Sequence, residues 1–320
     1  MLRLAAFLLG LPLLLLITAC GQHEPGPAVT GGFDASELDH PSFLWRVEKG
    51  DVEAWLFGTM HFTDARVKTL SLEVEDALAR ADAIFTEIEE TPALGAKMAQ
   101  LSRLPAGDTL ENHISKELHN KLVSYLKLRG LPGTMVDQFR PWMANLQISQ
   151  IDAIPFTSQG AKLDVELMHR AQREGLEFGT IETVEEQIAS LTAGTEADHA
   201  HMLNVTLDKL LEEIGAEKSS IERLLDLYLA GDEVALWDYA LSETDLNDPV
   251  QAAWMKSLLT DRNLRMASRV HARLKNKPGS KTFFAFGALH FIGPESVGEH
   301  LRSLGYSVTR VPHRPRTAGE

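Results

Sequence analysis

Trp55-Leu-Phe-Gly-Thr-Met-His61-Phe62 and Phe284-Ala-Phe-Gly-Ala-Leu-His290-Phe291 read almost alike, although they lie near opposite ends of the globular part of the chain. Each is an apolar run that reaches a glycine, Gly58 or Gly287, and delivers a histidine at the third position beyond it. A glycine where a strand ends lets the backbone turn tightly or approach a ligand closely. Histidine is the side chain best suited to proton transfer and metal ligation near neutral pH. One arrangement used twice predicts that both histidines serve a single site.

Outward from the first stretch, residues 43–47 and 52–57 flank Glu48-Lys-Gly-Asp51 and read as a hairpin with a glycine-containing turn. Beyond His61, residues 71–81 carry Leu72, Val74, Ala77 and Leu78 at helical spacing, and residues 83–88 form a short strand. Strand, GxxH loop, helix, strand is the order of a parallel β-α-β crossover. The second stretch repeats it, with a strand at 281–286, a helix at 295–304 closed by Gly305, and a strand at 306–311. Between the two units, residues 94–150 are helical with breaks at Leu104-Pro-Ala-Gly-Asp108 and Gly130-Leu-Pro-Gly133. A helix at 163–174 is closed by Gly175, a strand follows at 176–181, and residues 184–274 are helical throughout. The expected fold class is α/β: a central mixed β-sheet with flanking helices and a mostly helical insertion or cap at about residues 190–276.

The N-terminus stands apart from this pattern. Met1-Leu-Arg3 is a short positive region, residues 5–16 are almost wholly apolar, and Ile17-Thr-Ala-Cys20 sets small residues before the single cysteine. Such an apolar core is too short to cross a bilayer comfortably, so residues 1–19 read as a signal peptide. Its ending resembles a bacterial lipobox, which implies that Cys20 is lipidated and anchors the chain to a membrane of the bacterial cell envelope. Gly21 after that cysteine implies the outer membrane, facing the periplasm, if the host is Gram-negative. Residues 20–41 are polar and Gly/Pro-rich, a flexible tether; residues 42–312 are expected to form the domain, and 313–320 a disordered tail. With Cys20 lipidated, no thiol remains for a disulfide, a nucleophile or a metal site. A formal charge of −14 without a Lys/Arg cluster argues against a nucleic-acid partner.

In α/β sheets, ligands collect at the carboxyl ends of parallel strands. His61 and His290 follow the two GxxH strands, Glu87 lies near the end of the 83–88 strand, and Glu182 directly follows the 176–181 strand. If these strands are parallel neighbours, the four side chains converge. Two imidazoles with one or two carboxylates suit a divalent ion such as zinc, manganese or cobalt. A metal-free alternative makes His61 a general base, with Glu87 orienting its ring and His290 polarising the substrate. Glu182 has a second reading as a helix N-terminal carboxylate, since Thr183-Val-Glu-Glu186 resembles a capping box. Arg140, in Arg140-Pro-Trp142, is a candidate for a substrate carboxylate or for pairing with Glu87, and Arg262-Asn263 for the same supporting role. HExxH, GxSxG and Walker-type loops are absent from the sequence, which disfavours zincin, α/β-hydrolase and P-loop chemistry.

Gly58-Thr-Met-His61, Phe85-Thr-Glu87-Ile-Glu89, Gln159-Gly160 with Asp164, Thr180-Ile-Glu182-Thr-Val-Glu-Glu-Gln187, Arg262-Asn263 and Gly287-Ala-Leu-His290 together resemble the TraB/GumN (PrgY-like) family. The likeness runs from about residue 42 to 312. Tiki proteins, related to this family, are metal-dependent proteases that use two GxxH motifs and a glutamate. The resemblance therefore implies a membrane-tethered, metal-dependent peptidase acting on a peptide or protein, with His61, Glu87 and His290 as metal-site or catalytic residues. More distant relatives, the erythromycin esterases and haem-binding surface lipoproteins, leave two alternatives: a metal-free His/Glu hydrolase, and a non-enzymatic lipoprotein that binds a peptide or haem. Haem relatives commonly use a tyrosine ligand, and none of Tyr125, Tyr228, Tyr239 and Tyr306 lies beside a GxxH loop in sequence, which favours a peptide.

Overall fold

Gly50, with φ of 59°, takes the left-handed backbone that a two-residue hairpin turn requires. It joins β1 (Leu44–Lys49) to β2 (Val52–Thr59) as antiparallel neighbours, with Val47 opposite Ala54. The computed structural model describes residues 38–89, 91–154, 161–216 and 219–316. The expected signal segment, Cys20, most of the expected tether, Gln159-Gly160 and the last four residues of the expected tail lie outside the described residues.

Beyond β2 come α1 (Leu72–Ala79), β3 (Ala83–Thr86), α2 (Pro92–Ser102), α3 (Lys116–Leu128) and α4 (Pro141–Gln150). Then follow α5 (Leu163–Glu174), β4 (Glu177–Thr180), α6 (Val184–Leu191), α7 (Glu196–Ala216), α8 (Ser220–Ala230) and α9 (Glu233–Ser242). The chain closes with α10 (Pro249–Met255), α11 (Asp261–Asn276), β5 (Thr282–Gly287), α12 (Val297–Ser303) and β6 (Ser307–Arg310).

The six strands form one mixed sheet in the order β4-β3-β5-β2-β1-β6. Strands β4, β3, β5 and β2 are parallel, and β1 is antiparallel to both β2 and β6, so β1 alone is reversed. Both GxxH strands therefore begin parallel crossovers, but neither crossover joins neighbours. Strand β5 is slotted between β2 and β3, and the path from β5 to β6 passes over β2 and β1.

Central strands of this kind are buried on both faces, which is why the GxxH runs are apolar without alternation. Ala54, Leu56, Phe284 and Phe286 pack into the core on one face, with Leu224 and Tyr228 of α8 and Met266 and Val270 of α11. Trp55, Phe57, Phe283 and Ala285 face the other way, onto Val74 and Leu78 of α1 and Leu163 and Leu167 of α5. The helical insertion thus lies directly on the sheet. A third cluster joins α3, α4 and α7 through Leu122, Tyr125, Ile148, Leu203 and Leu207. Among the described residues no helix is long and apolar enough to cross a membrane.

Candidate active site

Strand register decides which side chains meet. Thr59 of β2 pairs with Gly287 of β5, and Thr86 of β3 lies level with Ala285 of β5 and Thr180 of β4. The four parallel strands therefore run out within a residue or two of each other, at one edge of the sheet. The 83–88 strand ends as a regular strand at Thr86, but Ile181 and Glu182 N–H donate to the Thr86 and Glu87 carbonyls, each at 2.9 Å, which keeps Glu87 and Glu182 side by side.

Both glutamates are 3 % exposed, and fully buried Arg262 from α11 lies between them. Its Nη2 donates to Glu87 Oε2 and Glu182 Oε2 at 2.6 Å each, and its Nε reaches Glu182 Oε1 and Oε2 at 3.1 and 3.0 Å. Gln187 of α6 adds longer bonds from Nε2, 3.3 Å to Glu87 and 3.5 Å to Glu182. Burial weakens the Arg262 charge, but the two carboxylates outweigh it and hold the guanidinium more firmly protonated than usual. Burial pushes the Glu87 carboxyl above the usual carboxylate range, against the pull of Arg262 and His61. A π-helical turn, Lys256–Thr260, precedes Arg262, and the Leu258 carbonyl inside it accepts from Arg262 Nη1 at 3.3 Å. Turns of this type are frequent at functional sites.

The second oxygen of Glu87 looks the other way. Oε1 accepts from the Gly287 N–H at 2.6 Å and lies 3.7 Å from His290 Nε2. Asn263, next to Arg262, holds His290: its Nδ2 donates to the Glu295 carbonyl at 2.8 Å, which turns Oδ1 to His290 Nδ1 at 2.6 Å. That contact assigns the proton to Nδ1 and leaves the lone pair on Nε2, facing Glu87. His61 Nδ1 lies 3.3 Å from Asp164 Oδ2, the same tautomer by the same reasoning. Its buried Nε2 has no hydrogen-bond partner among the described residues. A Cβ placed on Gly287 would stand 3.3 Å from Glu87 Oε1, 3.6 Å from His61 Nε2 and 3.7 Å from His290 Cδ2. Three donor-bearing side chains thus surround one small space that a glycine keeps open.

The structure brings together His61, Glu87, Glu182, Arg262, Asn263 and His290, and it corrects two expectations. Arg140 does not pair with Glu87: it starts α4, its N–H bonds the Ser102 carbonyl, and the guanidinium beside Glu87 is that of Arg262. The side chain that orients His61 is Asp164, not Glu87. Glu182 is in the site and is not the cap; the capping box at the start of α6 is made by Thr183 and Glu186. Sequence reasoning gave no role to Asp164, Gln187 or Tyr228. The first two stand in the stretches that carry the family resemblance, which was their signal; Tyr228 carried none. Its hydroxyl donates to the Gly58 carbonyl at 2.9 Å, its ring stacks on Phe43 at 5.3 Å, and burial, then the Asp164 charge, push its ionisation upward.

Fold and site together define an α/β protein whose sheet presents a His/Glu/His set at its carboxyl edge, braced by a buried Glu–Arg–Glu cluster. The chain belongs to the TraB/PrgY/gumN family, whose model matches residues 43–310. It is similar to two Danio rerio proteins, metalloprotease TIKI1 (26 % identity, 93 % of this chain, 69 % of the relative) and metalloprotease TIKI2 (28 %, 93 % and 67 %). Homo sapiens metalloprotease TIKI1 is 26 % identical over 87 % of this chain and 63 % of its own length. This chain thus spans about two thirds of the length of these relatives. No solved structure matches it.

Those names raise the question of a metal. Among the described residues no group of three or more His, Cys, Asp or Glu side chains closes to metal-holding geometry. The donor chemistry nevertheless fits: two Nε2 lone pairs and a carboxylate oxygen, a His₂Glu set, face the space beside Gly287.

Proposed function

We propose that this chain is a metal-dependent hydrolase of peptide bonds, tethered at a bacterial cell envelope through Cys20. The observation that carries the reading is the open space at Gly287, bordered by His61 Nε2, Glu87 Oε1 and the His290 ring. The names of the relatives support it. His61, Glu87 and His290 would hold the ion, which when bound supplies Lewis-acid polarisation of a carbonyl and a water acidified toward neutral pH. The chain's own residues do the rest. Asp164 and Asn263 keep both Nε2 lone pairs aimed inward. Arg262 holds one Glu87 oxygen so that the other stays at the Gly287 side. The missing Cβ leaves room for a reacting group.

Metal analysis of purified protein, paired with a peptide-cleavage assay, tests this. Stoichiometric divalent metal, lost with activity in His61→Ala and His290→Ala, is the expected result. Full metal content in both variants would sink the ligand assignment. One observation favours a second reading: with Asp164 behind it, His61 is also built as a general base. Cleavage that survives exhaustive chelation selects that reading. For the anchor, detergent-phase partitioning of the expressed protein should disappear in Cys20→Ser; an unchanged partition removes the tether.

A further inference from the structure

Away from the Gly287 edge, helices α7 and α10 border a cavity of about 340 Å³, a volume in the range that holds small ligands. Met202 of α7 and Val250 and Trp254 of α10 give it apolar and aromatic walls. A recess of about 10 Å³, room for one water-sized group, shares His199, Met202 and Trp254 with it and extends to Asn145 of α4.

Asn145 is 2 % exposed, and its Oδ1 accepts no hydrogen bond among the described residues. An acceptor left unmet in a buried position is unfavourable, so the recess suits a donor. His199 adds a second acceptor. Its Nε2 lies 3.1 Å from the Ala193 carbonyl and must carry the proton there, which leaves a lone pair on Nδ1. At the mouth stands the carboxylate of Asp198, held by the Thr195 N–H and hydroxyl at 2.8 Å each. Neither lining contains Lys or Arg. Apolar walls, an aromatic face and these acceptors at the end suit a flat apolar body tipped with an N–H or O–H.

We propose that this cavity receives a tryptophan or tyrosine side chain of the peptide substrate, its ring against Met202, Val250 and Trp254 and its N–H or O–H donated toward Asn145 Oδ1. The peptide identity rests on the hydrolase reading; the pocket chemistry does not. Two helices tie the pocket to the site. Helix α6 carries Gln187 beside Glu87 and, one turn on, Leu191 at the recess. Trp254 and Arg262 lie on one continuous helical run, about 12 Å apart at 1.5 Å per residue. An extended peptide, at about 3.3 Å per residue, covers that distance in roughly four residues.

Isothermal titration of the full chain with N-acetyltryptophanamide and its indole N-methyl analogue tests the proposal without requiring activity. The unmodified chain should bind the parent probe about ten-fold tighter than the analogue, the scale of one hydrogen bond. Asn145→Leu should bind both equally. Ala253→Phe, at an exposed position on the cavity wall, should remove binding of both without disturbing the core. Equal affinities in the unmodified chain, unchanged affinity in Ala253→Phe, or no saturable binding at millimolar probe would each overturn the pocket, the last meaning that the recess holds water. Probe binding with no peptide cleavage would instead refute the hydrolase and leave the pocket standing.

Discussion

Gly58 and Gly287 occupy the same place in the two GxxH stretches, yet a side chain would meet different neighbours at each. At Gly58 a Cβ would lie 2.8 Å from Phe43 Cβ and 2.9 Å from Ala288 Cα, closer than packed atoms tolerate. At Gly287 it would enter the space between Glu87, His61 and His290 at 3.3 Å or more. One glycine lets β2 pack against the loop after β5; the other keeps a site open. The histidines differ too. His290 is fully buried and backed by a neutral amide, whereas His61 is 6 % exposed and backed by a carboxylate. A repeated spelling has been put to two uses: the second stretch anchors the site, and the first carries the more accessible imidazole.

The largest effect expected is on what both halves share. Arg262→Met leaves Glu87 and Glu182 buried without their counter-charge and should cost about 3–5 kcal/mol in denaturant unfolding. A loss below about 1 kcal/mol would mean that the carboxylates hold each other through a proton, since burial already pushes Glu87 toward its neutral form. Next come the glycines themselves. Gly287→Ala should lower peptide cleavage about a hundred-fold with little change in melting temperature, because it displaces reacting groups and not core. Gly58→Ala should do the reverse, losing about 1–3 kcal/mol through overpacking while the folded fraction keeps its activity. Interchanged outcomes would dissolve the distinction between the two stretches. Smaller still, Asp164→Asn and Asn263→Leu should each weaken metal binding about 10–100-fold, as lost support for a ligand histidine does. Unchanged metal affinity in either variant would mean that its histidine needs no such support.

Much of this was legible from local spelling. Strand ends are punctuated by glycine or by a charged residue after an apolar run, so His61, Glu87, Glu182 and His290 could be placed on one edge from order alone, provided the strands were parallel neighbours. The proviso was not legible: β5 enters between β2 and β3 after a long helical detour, and only register puts Gly287 level with Thr59. Arg140 and Arg262 looked equivalent because each begins or follows a helix with no local mark of its partner. The π turn before Arg262, which sets the face of α11 that meets the glutamates, has no sequence signature. Tyr228 was hidden because an amphipathic helix hides which of its buried residues reaches a distant backbone carbonyl.

The smallest effect tests whether burial, and not mere pairing, gives the Arg262 cluster its weight. The helices that bring Arg262 and Gln187 to it also carry a control: Arg269 of α11 and Glu186 of α6 pair at the surface, with Nη1 and Nη2 on the two carboxylate oxygens at 2.7 and 2.5 Å. The Arg269 bonds hold the Glu186 carboxyl down at about 2, from an ordinary value of 4.5. A depressed carboxylate contributes stability that is present above its unfolded value and lost as the pH falls through its folded one. The contribution should therefore be complete at neutral pH and fade between about 4.5 and 2. Solvent screens a pair this exposed, so the amount should stay below about 1 kcal/mol. Thermal melts of Glu186→Gln against the unmodified chain should differ slightly at pH 7 and converge below pH 3, and salt should shrink the difference. A Glu186→Gln loss as large as that of Arg262→Met, or one insensitive to salt, would mean that the two pairs are equivalent and that burial adds nothing to the inner one.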